Sequence, residues 1–135
     1  MIKILGLAVA VLTAGGAATD ERPEIRFGHG AIDATLSSSV VRGDRDIYPI
    51  NAAAGQTMTV EITSLEDNAV FQVFPPGTHY MQNPDDIWVF HGEALRGAEG
   101  DTVRWSGQLA SGGQYLIVVG GTRGNADYRL HVTID

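Results

Sequence analysis

The chain contains no cysteine. That absence excludes a disulfide scaffold, a thiolate metal site, a cysteine nucleophile and a lipid-modified N-terminal cysteine. Positive charge is also scarce. Nine Lys and Arg stand against sixteen Asp and Glu, for a net charge of -7, and the only lysine is Lys3. Nucleic acid and anionic membranes reward clustered bases, so neither is an expected partner. No stretch after Ala18 carries a convincing helical period. What is present is a hydrophobic fraction of 44% in 135 residues. That is too apolar for a disordered chain and the right length for one domain.

The first eighteen residues read as an export signal. Lys3 supplies a short basic start, Ile4 to Leu12 an apolar run, and Gly16 and Ala18 a small-x-small cleavage pattern. The run is well short of the roughly 20 residues that cross a bilayer. The expected domains are therefore a signal peptide over 1–18 and a single β-sandwich domain over 19–135. Cleavage removes the lysine and leaves eight arginines against sixteen acids, a charge of -8. An exported protein without disulfides fits the bacterial periplasm.

The remaining chain alternates with period two. In Thr57 to Thr63, Met58, Val60 and Ile62 point one way and Thr59, Glu61 and Thr63 the other. From Asp127 to Ile134, Tyr128, Leu130, Val132 and Ile134 face inward, leaving Arg129, His131 and Thr133 outside. Val70 to Phe74 and Tyr115 to Val119 are short apolar runs. The second is apolar on both faces, which predicts a central strand covered on both sides. Weaker strand signals fall at Ile25–Phe27, Ala34–Val41, Asp46–Ile50 and Thr102–Leu109. Turn residues separate these runs, and seventeen glycines suit that many tight turns. The fold class expected is all-β: an antiparallel β-sandwich or flattened barrel of about eight strands. Pro75 to Asp101 resists the pattern; one short strand near Ile87–Phe90 between two loops is expected there.

Catalytic and metal signals are weak. His29, His79, His91 and His131 lack metal-ligand spacing. Asp85 and Asp86 lack the further spaced oxygens of a calcium loop. Gly28-His29-Gly30 lacks the full dinucleotide pattern and a following helix. Arg42-Gly43-Asp44 reads as a hairpin turn. Ser111 has no Gly-x-Ser-x-Gly elbow around it. No acid/base pair with a defined geometry stands out, so no enzyme, cofactor or metal is expected. The C-terminal third is more suggestive. Ser111-Gly112-Gly113-Gln114-Tyr115 sets a Ser-Gly turn before a buried strand, and Gly120 to Ala126 follows as a glycine-rich hairpin carrying Arg123. The two loops flank one strand and so lie at its opposite ends. On physics alone, Tyr115 packs at a sheet corner with its hydroxyl bonded to backbone.

In order along the chain, Ile25 to Gly30, Asp46-Ile47-Tyr48 with Ala54 to Val60, Val73 to Gly77, Leu109 to Val119 and Arg123 to Ile134 resemble the bacterial periplasmic lysozyme inhibitors, especially those against invertebrate-type and goose-type enzymes. The likeness spans most of residues 24 to 134. It implies a β-sandwich of about eight strands that inserts surface loops into the lysozyme cleft. It also implies that Ser111, Gly112 and Tyr115 form the family's Ser-Gly-x-x-Tyr motif, with Ser111 and Tyr115 hydrogen-bonding catalytic carboxylates, and that Arg123 sits on a second contact loop. The chain departs there: Gly124-Asn125-Ala126-Asp127 replaces the further basic residues of relatives. The physics agrees, since an acidic protein is steered toward a basic enzyme. The competing reading is a non-inhibitory secreted β-sandwich module that binds carbohydrate or calcium, like the domains that follow secreted peptidases. Exposed strand edges permit pairing into a homodimer.

Overall fold

A computed structural model describes residues 21–27 and 33–135. The expected signal peptide and the Gly28-His29-Gly30 turn lie outside the described residues. Among those described there are nine strands: β1 (Asp33–Val40), β2 (Arg45–Ala52), β3 (Thr57–Ser64), β4 (Ala69–Phe74), β5 (His79–Gln82), β6 (Trp88–His91), β7 (Arg104–Gln108), β8 (Gly113–Gly121) and β9 (Ala126–Ile134). One sheet runs β1-β9-β3-β7, a second β2-β8-β4, and β5 and β6 form a separate two-stranded ribbon. All these strand pairs are antiparallel. The sandwich is open rather than closed into a barrel, as two sheets with separate edges require.

The alternating strands bury the faces their patterns predict. Met58, Val60 and Ile62 meet Tyr128, Leu130, Val132 and Ile134 in the main core, opposite Tyr115, Ile117 and Val119 of β8. Strand β8 is buried along most of its length. Its outward residues Leu116 and Val118 form a second cluster with Ile47 and Phe74, roofed by Tyr80, Trp88 and Phe90 of the β5–β6 ribbon. Burying a side chain such as Leu116 contributes roughly 1.5–3 kcal/mol, so the ribbon is held by the apolar face of the sheet beneath it. Phe74 and Phe90 stack with ring centroids 5.0 Å apart.

The ribbon corrects the expectation of one short strand between Pro75 and Asp101. Asn83 closes a tight loop, its side-chain oxygen accepting from the Asp85 and Ile87 amides at 2.9 and 3.0 Å. That closure pairs β5 with β6. Residues 25–27 do not form a strand of the expected kind either. The segment makes single parallel bridges to β2, Glu21 to Ile47 and Ile25 to Ile50. It thereby covers the β2 edge, while residues 95–102 cover β4 through Leu95, Ala98 and Thr102.

Candidate functional site

The nine residues of β8 span about 30 Å at strand rise. The Ser111–Gly112 turn leads into one end of β8 and the Arg123 loop leaves the other. The structure therefore does not bring Ser111 and Arg123 together.

The Ser111 end is built from three adjacent connections: the β2–β3 turn, the Pro75–Gly77 turn after β4, and residues 109–112. Buried Leu109 and Tyr115 anchor the third on both sides, and Ser111 and Gly112 are exposed between them. Leu109 exchanges two 2.8 Å backbone hydrogen bonds with the facing turn, donating to Gln56 and accepting from Gly55. The Gln56 side chain in turn accepts from the Ala53 amide at 2.7 Å. Tyr115 lies in the main core, 1% exposed, and its hydroxyl donates to the Ser111 carbonyl at 2.5 Å. The hydroxyl is thus engaged with the turn's own backbone. It fixes the turn, as the sheet-corner reading anticipates.

Gly112 and Gly113 both pack closely against neighbouring turns. A Cβ on Gly112 would lie 3.3 Å from the Ala54 amide nitrogen, so the facing backbone would have to give by a few tenths of an ångström. Gly113 has φ of +143°, and a Cβ there would come within 3.0 Å of Pro76. The serine is thus presented on a turn pressed against its neighbours.

The tip carries no formal charge. Residues 51–57, 74–78 and 108–114 contain no Asp, Glu, Lys or Arg. The nearest acids flank it. Asp135 pairs through backbone with Thr57. Glu24 accepts from the Asn51 side chain and, at 3.4 Å, from Arg26.

At the far end Arg123 is exposed and donates to the Glu66 carbonyl. Buried Asn68 holds this loop, donating from Nδ2 to the Arg123 and Asn125 carbonyls at 3.0 Å each. A groove is lined by Phe74, Phe90, Glu93 and Glu99 on the ribbon side of the sheet.

A buried polar cluster centres on Asp46. Asp46 shares the inward face of β2 with Tyr48 and Ile50, and a carboxylate on a core-facing position needs partners. Its Oδ1 accepts from Arg22 at 2.8 Å and its Oδ2 from the Tyr128 hydroxyl at 2.6 Å. The Tyr48 and Tyr128 hydroxyls are 2.6 Å apart. Burial raises the pKa of both tyrosines, and the Asp46 charge adds to the shift. The cluster ties the 21–27 segment to the sandwich and lies toward the Arg123 end, where β2 begins.

These features define a class: a rigid, acidic sheet scaffold whose most distinctive surface is an uncharged, tightly held loop tip. Comparison with family models and with curated proteins finds no match. Solved structures do match. Aeromonas hydrophila PliG, a periplasmic lysozyme inhibitor of g-type lysozyme, shares 31% identity over 85% of this chain and 99% of its own, with a TM-score of 0.63. A mutant of Escherichia coli PliG, described in the same terms, shares 21% identity over 87% of this chain, with a TM-score of 0.61. The pre-peptidase C-terminal domain of a Bacillus anthracis collagenase shares the fold alone, at 16% identity and a TM-score of 0.52. The chain belongs to the PliG family of periplasmic lysozyme inhibitors.

Proposed function

We propose that this protein is a periplasmic inhibitor of g-type lysozyme that docks by its Ser111 end. The observation that carries this is the exposed, charge-free Ser111–Gly112 turn held between buried Leu109 and Tyr115. A glycosidase cleft is commonly lined by a pair of carboxyl groups. An uncharged tip enters such a cleft without like-charge repulsion, and the Ser111 hydroxyl donates to a carboxylate there as a charge-assisted bond. Tyr115 acts by holding the turn, which lowers the ordering cost of binding. Arg123, at the opposite end, is outside this contact. The acidic body raises the encounter rate with a basic enzyme.

The protein is a binder rather than an enzyme in this reading, exported by cleavage after Ala18. Lysis assays with chicken-, goose- and invertebrate-type lysozymes test it. Inhibition of the goose-type enzyme is expected. Ser111→Asp places a carboxylate against the target's own, which costs several kcal/mol at close range, so inhibition falls by roughly a hundredfold or more. A Ser111→Asp variant that inhibits normally removes the tip from the mechanism.

A further inference from the structure

The four histidines show no metal-ligand spacing in sequence, and among the described residues no group of three His, Cys, Asp or Glu side chains converges. The β5–β6 pairing nevertheless changes the position of two of them. His79 stands directly opposite His91, and Met81 opposite Val89. Directly paired residues share a face of the ribbon, with Cβ atoms about 4.5–5.5 Å apart. Tyr80, Trp88 and Phe90 point down into the second apolar cluster, so His79, His91 and Met81 point away from it.

All three are exposed, Met81 by 57%. No side-chain hydrogen bond or ion pair among the described residues engages either imidazole. The support under them is rigid. Phe74 stacks on Phe90, Tyr80 contacts both Trp88 and Phe90, and the Tyr80 hydroxyl donates to Glu21 at 3.0 Å. A ligand set on such a braced ribbon is held in place before any ion arrives.

We propose that His79, His91 and Met81 form a surface site for copper. Two imidazoles one strand spacing apart can both reach a single ion, and the diagonal neighbour Met81 lies within reach of a long side chain. Imidazole suits zinc and copper alike, but a thioether is a soft donor that favours Cu(I). Zinc takes Cys, His and carboxylate ligands instead. The donor set therefore selects copper over zinc. The ribbon covers the outer face of the β2-β8-β4 sheet, and its His79–His91 end adjoins the Pro75–Gly77 turn, so metal binding is measured with no lysozyme present.

The test titrates the purified protein with Cu(I) under reducing conditions against a coloured Cu(I) chelator, and separately with Zn(II). One Cu(I) per chain is expected, bound more tightly than Zn(II). His79→Gln and His91→Gln should each weaken Cu(I) binding by about tenfold or more. Met81→Leu should weaken Cu(I) and leave Zn(II) unchanged, while His131→Gln changes neither. These side chains are solvent-facing, and thermal melts check that each variant folds. Failure of the wild-type protein to compete for Cu(I), unchanged affinity in the His79→Gln/His91→Gln double variant, or indifference of Cu(I) to Met81→Leu overturns the proposal.

Discussion

Replacing Tyr115 by phenylalanine deletes one hydroxyl and keeps the ring in the core. The lost interaction is the 2.5 Å bond to the Ser111 carbonyl. A neutral hydrogen bond contributes about 0.5–1.5 kcal/mol net. Ser111 is exposed, so water can take over its carbonyl, and the lower half of that range is expected. For a domain of this size, about 0.5–1 kcal/mol corresponds to a drop of a few degrees in Tm. The effect on inhibition should be larger than the effect on stability. Freed from its tether, the turn must be ordered at the moment of docking, at about 0.5–1.5 kcal/mol for each group immobilised. Roughly three- to tenfold weaker inhibition of goose-type lysozyme follows. Thermal melting and a lysis assay on one preparation read both quantities. Tyr115→Ala is the contrasting variant: it also empties a core position, costing about 3–5 kcal/mol. Unchanged inhibition by Tyr115→Phe, at any Tm, would refute the idea that this hydroxyl prepares the tip.

Tyr128→Phe removes a donor from buried Asp46 and should cost about 1.5–3 kcal/mol in urea unfolding, as bonds to charged groups do. Alkaline pH gives an independent check on the same cluster. Tyr48 and Tyr128 have pKa values raised above 10 by burial, so the folded state keeps protons that the unfolded chain releases. The associated stability is fully present below about pH 10 and is lost as pH rises beyond it; the Tyr48→Phe/Tyr128→Phe variant should show a flatter decline. Gly113→Ala should lower the melting temperature through its strained φ and the 3.0 Å contact with Pro76, whereas Gly43→Ala, at φ +80° with nothing within 4 Å, pays only the backbone strain. Association with a basic lysozyme should slow by about tenfold or more between low salt and 0.5 M, because steering is screened.

Much of the sandwich was readable from alternation. In β3 and β9 a strict period of two assigned each side chain to its face, because one face of each strand is buried and the other wet. The double-faced apolar run of β8 announced a strand covered on both sides, and the β5–β6 ribbon supplies the second cover. The ribbon itself was harder to see. Its strands are four residues each, too short for a clear period, and the signal was the Asn83-Pro84 turn between them. Pairing between strands is a tertiary fact, which is why His79 and His91 looked unrelated in sequence. The Ser111 turn was legible as a motif, but the inward placement of Tyr115 came from the sheet-corner argument rather than from the family resemblance. Asp46 carries a sequence signal of its own: its position in phase with Tyr48 and Ile50 puts a charge inside, and such a charge needs a counterpart such as Arg22.

The account rests on which end of the sandwich meets the enzyme. Amide chemical-shift mapping with goose-type lysozyme, titrated into the isotopically labelled protein, reads this directly. The largest changes should cluster at residues 52–56, 75–78 and 109–114, with 122–126 undisturbed. Changes confined to the Arg123 loop, or a bound complex that leaves the Ser111 turn unperturbed, would contradict it.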